Sequence, residues 1–545
     1  MNKRARKWMA AALAGMMLAG TLTGCQSEEQ RTEPSQEAGT PESSENPETV
    51  ANAATSSKDR IVIGVGGTIS NLSAKEGVVE QSMNVYSIAG ESLLKEVNDE
   101  NGLPVMTTER SITESYEVDE EKSGIIFHLR DGVAMQDGTT LNADDVVCSV
   151  MYMKDGTYYA DVDYDNVYAI DESTVFIGVG QVGQPVINKV ATIPIFSKEA
   201  YEQVNNEGIF FTEGYVSCGQ YQITEWVAGD SVTLEAFDSY YNGQPMIKNV
   251  VFRIFSESSV AMMELQTGGV DVLMSPDFQS YQDVINGNYG EQFTAEESNG
   301  NLLYCVYLNM ASEKTQDKRV REAIMYALDR KAISDGAFNG WGSLAYRVLG
   351  LTYAGMTDYD ESSWPYKQDL EKAKALMAEA GYADGLELNL LTHNAGVYYQ
   401  NVAEVFANQV KEIGIKVNIS VYEPATFKST QNGLEGWDVS TTSPNTSYIT
   451  NASDFLNNAL IGSMHTDALP AEGYEDALNI TTALKSEIDE AKVEELSREF
   501  EEHYFNDWLW WYPIQLSGVY TLYDSNLHGF SRCQAVIDLS GAYFE

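Results

Sequence analysis

The 545-residue chain has little positive charge. Lys and Arg number 34 against 81 Asp and Glu, so the formal net charge is −47. A nucleic-acid-binding protein needs a basic surface, and so does a folded domain that binds an anionic membrane. The composition therefore excludes both classes, and it is typical of a soluble protein that works outside the cell.

The sequence also lacks the common motifs of catalytic and metal sites. Its five cysteines form no Cys-x-x-Cys pair, its five histidines lack zinc-site spacing, and no Gly-Lys pair exists to form a P-loop. It contains neither Gly-x-Ser-x-Gly nor His-Glu-x-x-His. Asp161, Asp163, Asp165 and Glu172 have EF-hand spacing, but Asn166 stands where the calcium loop needs glycine. We predict that the chain is not an enzyme and holds no metal and no cofactor.

A long apolar run occurs only near the N-terminus. A basic stretch precedes about 15 apolar residues, fewer than the roughly 20 that a membrane-spanning helix needs, and this pattern predicts a signal peptide over residues 1–24. The segment 22–25, Leu-Thr-Gly-Cys, resembles the bacterial lipobox, which implies a diacylglyceryl anchor with palmitate-type chains on Cys25. An ordinary cleaved signal is the alternative. Residues 25–58, rich in Ser, Glu and Pro, predict a disordered tether.

From residue 59 onward the apolar pattern switches between the strand period and the helix period. The segment 61–65 predicts a strand, 218–235 a hairpin, and 318–334 a single helix. Asn142 is placed to cap a helix. The order strand, helix, strand over 386–421 predicts a β-α-β unit, and therefore an α/β fold that contains parallel strands.

Four groups of residues, in this order along the body, carry a family resemblance: Phe127-His-Leu-Arg-Asp-Gly132 with Asp137-Gly-Thr; Cys218-Gly-Gln-Tyr221 with Gly268 to Val272; Asn309 with Asp317-x-Arg319-Val-Arg321 and Asp329-Arg330; and Ala380-Gly381-Tyr382 with Ile413-Gly414-Ile415. In these groups the chain resembles the bacterial extracellular solute-binding proteins of family 5, the dipeptide- and oligopeptide-binding lipoproteins of ABC importers. The groups span nearly the whole body.

The resemblance implies a two-lobed, periplasmic-binding-protein-like (Venus flytrap) α/β fold with an extra subdomain in the first lobe. Lobe I is expected at 59–85, 212–298 and 505–545, its extra subdomain at 86–211, and lobe II at 299–504. Chain crossings near 298 and 504 would form the hinge. Trp508, Trp510 and Trp511, near the second crossing, are expected to pack between the lobes.

The family implies a function as well. A monomeric, lipid-anchored protein on the outer face of the membrane (periplasmic in a Gram-negative cell) would capture a peptide-like solute between its lobes. It would deliver the solute to an ABC permease driven by ATPase subunits. The alternatives are an oligosaccharide receptor of the same family and a peptide or pheromone sensor without a transport role. An extracellular hydrolase on a similar scaffold is the least favoured.

The expected cleft departs from the family at one point. The family's peptide binders place a carboxylate against the amino group of the guest, shortly after the segment that matches 436–439. Here no acid follows before Asp454. Because an unpaired buried ammonium costs several kcal/mol, we expect a guest without a free amine there, unless Asp438 or Asp454 compensates. The expected ligand contacts are Trp437, Ser443, Asn445, Tyr448 and Trp341 from lobe II, with Thr68 and Asn71 from lobe I.

Overall fold

The computed structural model describes residues 58–67, 69, 72, 75, 80–98, 104–154, 156, 159–204, 210–211, 215–349, 360–443, 471–533 and 536–545. The predicted signal peptide, the lipid site at Cys25 and all but the end of the predicted tether lie outside these residues. Within them, no helix is both long enough and apolar enough to span a membrane.

The strands are short except for two. Their bounds are β1 Arg60–Gly66, β2 Glu91–Ser92, β3 Lys95–Asn98, β4 Pro104–Thr107, β5 Thr113–Asp119, β6 Gly124–Leu129, β7 Val162–Ala169, β8 Thr174–Val179, β9 Pro194–Ile195, β10 Tyr221–Val227, β11 Ser231–Ala236, β12 Asn249–Phe255, β13 Val272–Met274, β14 Phe293–Leu308, β15 Ser343–Leu344, β16 Leu386–His393, β17 Ile415–Tyr422, β18 Val439–Thr442, β19 Trp511–Asp524, β20 Leu527–His528, β21 Ser531–Cys533, β22 Val536–Asp538 and β23 Tyr543–Phe544.

The helices flank these strands. They are α1 Glu80–Ala89, α2 Ala143–Tyr152, α3 Gln184–Ala191, α4 Lys198–Gln203, α5 Ser258–Gln266, α6 Phe278–Ile285, α7 Lys318–Ala327, α8 Arg330–Phe338, α9 Leu370–Glu379, α10 Val397–Val410, α11 Pro424–Asn432, α12 Ala471–Ser486 and α13 Glu490–His503, with a 3₁₀ turn at Lys411–Ile413 and a π-helical turn at Tyr504–Trp508.

One mixed sheet runs through the molecule in the order β10-β11-β12-β1-β13-β19-β14-β18-β16-β17, with β15 paired to β19. The predicted hairpin is present as antiparallel β10 and β11, and β16 pairs with β17 in parallel, as the β-α-β pattern predicts. A separate four-stranded sheet, β5-β6-β8-β7, lies in the region of the expected subdomain. This α/β architecture agrees with the predicted fold class.

The apolar residues separate into distinct cores. The first core takes residues from 61–274 and 527–544, and the second core takes residues from 303–516. A third, smaller core covers the opposite face of strands that also line the first core, because neighbouring residues such as Ile61 and Val62 point to opposite faces of β1. Two large cores joined through one sheet are what a two-lobed body requires.

The long strands β14 and β19 connect the two parts. They pair antiparallel along most of their length, but the register shifts between Asn299–Gly518 and Leu303–Leu516, so β14 carries extra residues at that point. The amide of Leu302 donates to the hydroxyl of Ser517 (N···O 3.2 Å) where the regular ladder is interrupted. A bulge of this kind bends a strand and weakens its pairing locally, which suits a hinge.

Two predictions need revision. The single helix expected over 318–334 is two helices, because the chain leaves the helix at Leu328 and Asp329 caps α8 by accepting from the amide of Ala332. The tryptophans of 508–511 pack inside the second core, where the rings of Trp508 and Trp510 stack at 5.5 Å, and not between the lobes. We therefore propose that the second crossing lies near residue 517 instead of 504.

Candidate functional site at the carboxyl ends of the lobe II strands

Only part of the predicted ligand-contact set lies in the part of the chain that the structure describes. Trp341, Trp437 and Ser443 are described. The other predicted contacts, and the acid that was considered as a compensating charge, lie outside the described residues: Thr68, Asn71, Asn445, Tyr448 and Asp454. Contact of any of these residues with a ligand stays a prediction.

Ser443 directly follows β18, next to the end of β16. Its hydroxyl shares a short hydrogen bond with the hydroxyl of Tyr399, in the first turns of α10. The Tyr399 ring packs against His393, the last residue of β16, at 4.0 Å between centroids. Since ligands of open α/β sheets bind beyond the carboxyl ends of parallel strands, this edge is the candidate site.

The polar groups behind this edge hold one another in place. The hydroxyl of Thr441 contacts both the hydroxyl of Thr392 (2.7 Å) and the backbone carbonyl oxygen of Tyr399 (3.0 Å). Burial lowers the pKa of His393, so the imidazole is neutral at pH 7. The described ends of β16 and β18 therefore carry the uncharged Ser443 hydroxyl and His393 imidazole, while the carboxylate of Glu423, directly after β17, caps α11.

Aromatic rings lie beside the same edge. Phe338, Trp341 and Tyr398 are nearly parallel, with centroid separations of 5.7–6.1 Å and interplanar angles of 15–18°. Trp341 and Tyr398 are only partly buried, whereas Tyr399 is buried and belongs to the core. Trp341 also contacts Tyr520, at 6.5 Å. The partly exposed rings provide a flat apolar surface of the kind that binds peptides or sugars.

Trp437 lies elsewhere. Its side chain is 2% exposed in the second core, with its ring against that of Tyr307 at 5.3 Å. This burial argues against a contact between Trp437 and a ligand, because no ring face is open to a solute in this conformation. A role in packing explains its position.

Asp438 is occupied by neighbours within lobe II. Its carboxylate accepts from the hydroxyl of Ser312 (2.5 Å), the ammonium of Lys314 (2.9 Å) and the backbone amide of Asn389 (2.7 Å), and the residue is 5% exposed. An acid that already has a cation and two other donors has little capacity for another ammonium. Asp438 therefore braces the start of β18, and sequence reasoning missed this because Lys314 lies 124 residues away.

Among the described residues, the acids and cysteines give no support for metal or thiol chemistry. No group of three or more His, Cys, Asp and Glu among them is placed to hold a metal ion. Burial raises the pKa of the thiols of Cys218, Cys305 and Cys533, so these cysteines stay protonated and unreactive at neutral pH. Asp161, the first acid of the EF-hand-like spacing, is paired with Lys189 and Lys485. The site can hold a solute by stacking and hydrogen bonding.

Sequence comparison decides the family. A profile described as bacterial extracellular solute-binding proteins, family 5 Middle, matches residues 107–463. The chain belongs to this family. The prediction that it is not an enzyme is confirmed, because the family and the named relatives below are binding proteins.

Curated relatives are distant. The chain is 26% identical over 328 residues to the glutathione-binding protein GsiB of Escherichia coli K12, covering 58% of this chain and 62% of that protein. It is 26% identical over 348 residues to the oligopeptide-binding protein AppA of Bacillus subtilis, covering 57% and 62%. With heme-binding protein A of Haemophilus influenzae it shares 24% over 423 residues, covering 71% and 75%. The first of these matches thus spans less than two thirds of the relative.

Solved structures agree on the fold over a larger share of the chain. HbpA2 from Haemophilus parasuis superposes with a TM-score of 0.77 at 20% identity, covering 89% of this chain and all of that one. AppA from Bacillus subtilis, solved in complex with a nonapeptide, superposes with a TM-score of 0.65 at 20% identity, covering 89% and 99%. These similarities support the two-lobed fold.

Proposed function

We propose that the protein is a lipid-anchored extracellular solute receptor that encloses a peptide-like ligand between its two lobes and passes it unchanged to an ABC permease. The observation that carries the proposal is the pair of large cores joined by β14 and β19, with a register shift where the two strands leave one core for the other. A body built in this way can close over a solute by bending at the shift, without unfolding either lobe.

The preferred guest has no free amine near β18. Asp438 is paired with Lys314 and the Asn389 amide, and His393 is neutral, so neither group offers a free negative charge to an ammonium beside β18. Internal or N-modified peptides fit this requirement. The names of the relatives, which include oligopeptide-binding and glutathione-binding proteins, support a peptide-like solute.

An oligosaccharide is the second candidate. The partly exposed rings of Trp341 and Tyr398, which pack parallel to the buried Phe338, favour it, because sugar rings stack on flat aromatic faces as readily as peptide groups do. Ser443 and the residues outside the described set, Thr68, Asn71, Asn445 and Tyr448, remain our proposed additional contacts for either guest.

The test of this function is native mass spectrometry of protein purified from its own cells, followed by identification of the released small molecule. We expect an intact peptide-like solute, at one copy per chain. Recovery of cleaved products that accumulate with time would overturn the binding-only function, and recovery of an intact saccharide would select the second candidate.

The charge argument has its own test. Pairs of peptides with the same sequence, one N-acetylated and one with a free amino group, are compared by thermal shift. We expect the acetylated member of a binding pair to raise the melting temperature more. A consistent preference for the free amine would mean that another acid, such as Asp454, supplies the counter-charge.

The anchor is tested separately. Wild-type protein expressed in its own cells should incorporate labelled palmitate and fractionate with membranes, and Cys25→Ser should lose both properties while its solute binding persists. Unlabelled wild-type protein would contradict the proposed lipidation without affecting the binding function. Co-purification of the permease and ATPase subunits after cross-linking would separate a transport role from a sensing role.

A further inference from the structure

Lobes I and II touch at a second place, away from β14 and β19. The carboxylate of Asp161, just before β7, lies 3.3 Å from the ammonium of Lys485, in the last turn of α12. The flanking residues Val162 and Leu484 belong to the first core and the second core respectively. This ion pair therefore joins the two cores.

A backbone contact lies next to the ion pair. The amide of Gln184, the first residue of α3, donates to the carbonyl oxygen of Glu487 at 3.0 Å. No side chain caps this helix, so a carbonyl from the other lobe satisfies one of its orphan amides. Gln184 and Glu487 belong to segments that pack on different cores, so this hydrogen bond also joins the two lobes.

The approach is so close that only glycine fits at position 183. A Cβ on Gly183 would lie 2.1 Å from the carbonyl oxygen of Lys485 and 3.0 Å from the Cα of Ser486. The φ angle of Gly183 is −175°, an extended value that any residue adopts. The requirement for glycine therefore comes from the neighbouring lobe and not from the local backbone conformation.

A third residue keeps the acid of the ion pair charged and in place. Lys189 of α3 bonds the other carboxylate oxygen of Asp161 at 3.0 Å, so each oxygen faces one lysine. Burial alone would raise the pKa of Asp161, but the hydrogen bond and charge of Lys189 and the charge of Lys485 hold it below its ordinary value. Asp161 is thus an anion at neutral pH, already positioned by its own lobe.

We propose that Asp161, Lys485, Gln184 and Glu487 form a closing latch that holds the two lobes together, which makes them positioning residues for solute capture. The inference rests on the proposed function, since it supplies the force that keeps the lobes closed over a solute. Asp161 and Gln184 lie in the expected subdomain, and Lys485 and Glu487 lie in lobe II. Because the ion pair is partly exposed, it is expected to change the closed-to-open ratio by about fivefold.

Zero-length cross-linking with a carbodiimide tests whether the contact forms in solution. The full chain is coupled without added solute, digested and examined for Asp161 joined to Lys485, with Asp161 joined to Lys189 as the internal control within one lobe. We expect both products, with the Lys485 product falling severalfold in 1 M sodium chloride, where the Debye length is about 3 Å. Formation of the Lys189 product alone would overturn the latch.

Variants then test whether the contact holds the lobes. Lys485→Glu and Gly183→Ala should enlarge the radius of gyration measured by small-angle scattering and leave the thermal midpoint near that of wild type. The matched controls are Lys416→Glu, whose lysine pairs with Glu387 inside lobe II at 3.1 Å, and Gly180→Ala, where an added Cβ meets nothing nearer than 3.9 Å. The controls should keep the wild-type radius.

Each other outcome counts against the proposal. An unchanged radius in Lys485→Glu and Gly183→Ala would mean that the contact does not hold the lobes, and a lowered thermal midpoint at an unchanged radius would identify a permanent interface. These measurements need no solute, so a negative result for the latch would leave the proposed solute-binding function untouched. A working latch in a protein that never co-purifies with a solute would count against the function alone.

Discussion

The strand pair β14–β19 and the closing latch both join the two lobes, but different forces hold them. The strand pair is continuous chain with a ladder of backbone hydrogen bonds, and buried aromatic rings flank it. The latch is one ion pair and one backbone hydrogen bond between segments that are far apart in sequence. The strand pair is therefore a permanent connection between the lobes, whereas the proposed latch can form and break as the lobes close and open.

The largest effect is expected at the strand pair. Gly342 has φ +76° and an added Cβ would lie 2.1 Å from the carbonyl oxygen of Leu516 in β19. Gly342→Ala should lower the free energy of unfolding by about 3 kcal/mol, from backbone strain plus the clash, as measured by urea denaturation. Gly340→Ala is the control, since it shares the positive φ but meets only the Phe278 ring, at 3.7 Å. If both variants lost the same free energy of unfolding, the close packing of Gly342 against β19 would contribute nothing to stability.

Trp341 should show the next largest effect. Its ring packs against Phe338 and Tyr398 in lobe II and against Tyr520 of β19, and its carbonyl oxygen accepts from the side chain of Gln515. Trp341→Ala should lower the free energy of unfolding by about 2 kcal/mol, since the ring is only partly buried, and should weaken solute binding. Trp341→Phe should recover most of the stability. If Trp341→Ala bound the solute with the affinity of the wild type, Trp341 would not be a ligand contact.

A double-mutant cycle measures the latch on the same scale. Asp161→Asn, Lys485→Met and the double variant should give a coupling free energy of about 0.5–1 kcal/mol, because the pair is partly exposed to solvent. The coupling is read from the fraction of closed protein by small-angle scattering, at 20 mM salt. A coupling as large as the effect of Gly342→Ala would contradict the distinction between a lasting hinge and a reversible latch.

Acid should weaken the latch and spare the strand pair. The folded pKa of Asp161 lies below its ordinary value of 3.8, so its stabilisation is complete above the unfolded pKa and is lost as the pH falls through the folded value. The groups that face this acid are the ammonium groups of Lys189 and Lys485. The radius of gyration should therefore rise below about pH 4 before secondary structure is lost. Asp161→Asn should not show this step.

Local patterns predicted much of the fold. Asn142 accepts from the amide of Asp144 and completes a capping box with Asp145, as its position before an apolar helix pattern indicates. The predicted strands of 218–235 and 386–421 pair as expected. This succeeds because turn residues and β-branched runs determine the local structure within a few residues of their own positions. The split at Asp329 was missed because the apolar spacing continues across it.

The candidate site was less predictable, for a physical reason. Ser443 and Trp341 lie near the edge that the strand order defines, but the burial of Trp437 depends on Tyr307, a partner from a distant strand. The sequence gives no sign of a cationic partner for Asp438, because only the fold brings Lys314 next to it. The sequence shows Asp161 only as the first acid of an EF-hand-like spacing, because its partner Lys485 comes from the other lobe.

Under the proposed closing motion, Gly183 would limit the volume of the enclosed solute. A Cβ on Gly183 would lie 2.1 Å from the carbonyl oxygen of Lys485 in the other lobe, so the lobes could approach no further once this contact forms. The space enclosed at full closure would then be set by the fold, and a larger solute would keep the lobes apart. Size selection in this receptor would thus come from a mechanical stop remote from the atoms that recognise the solute.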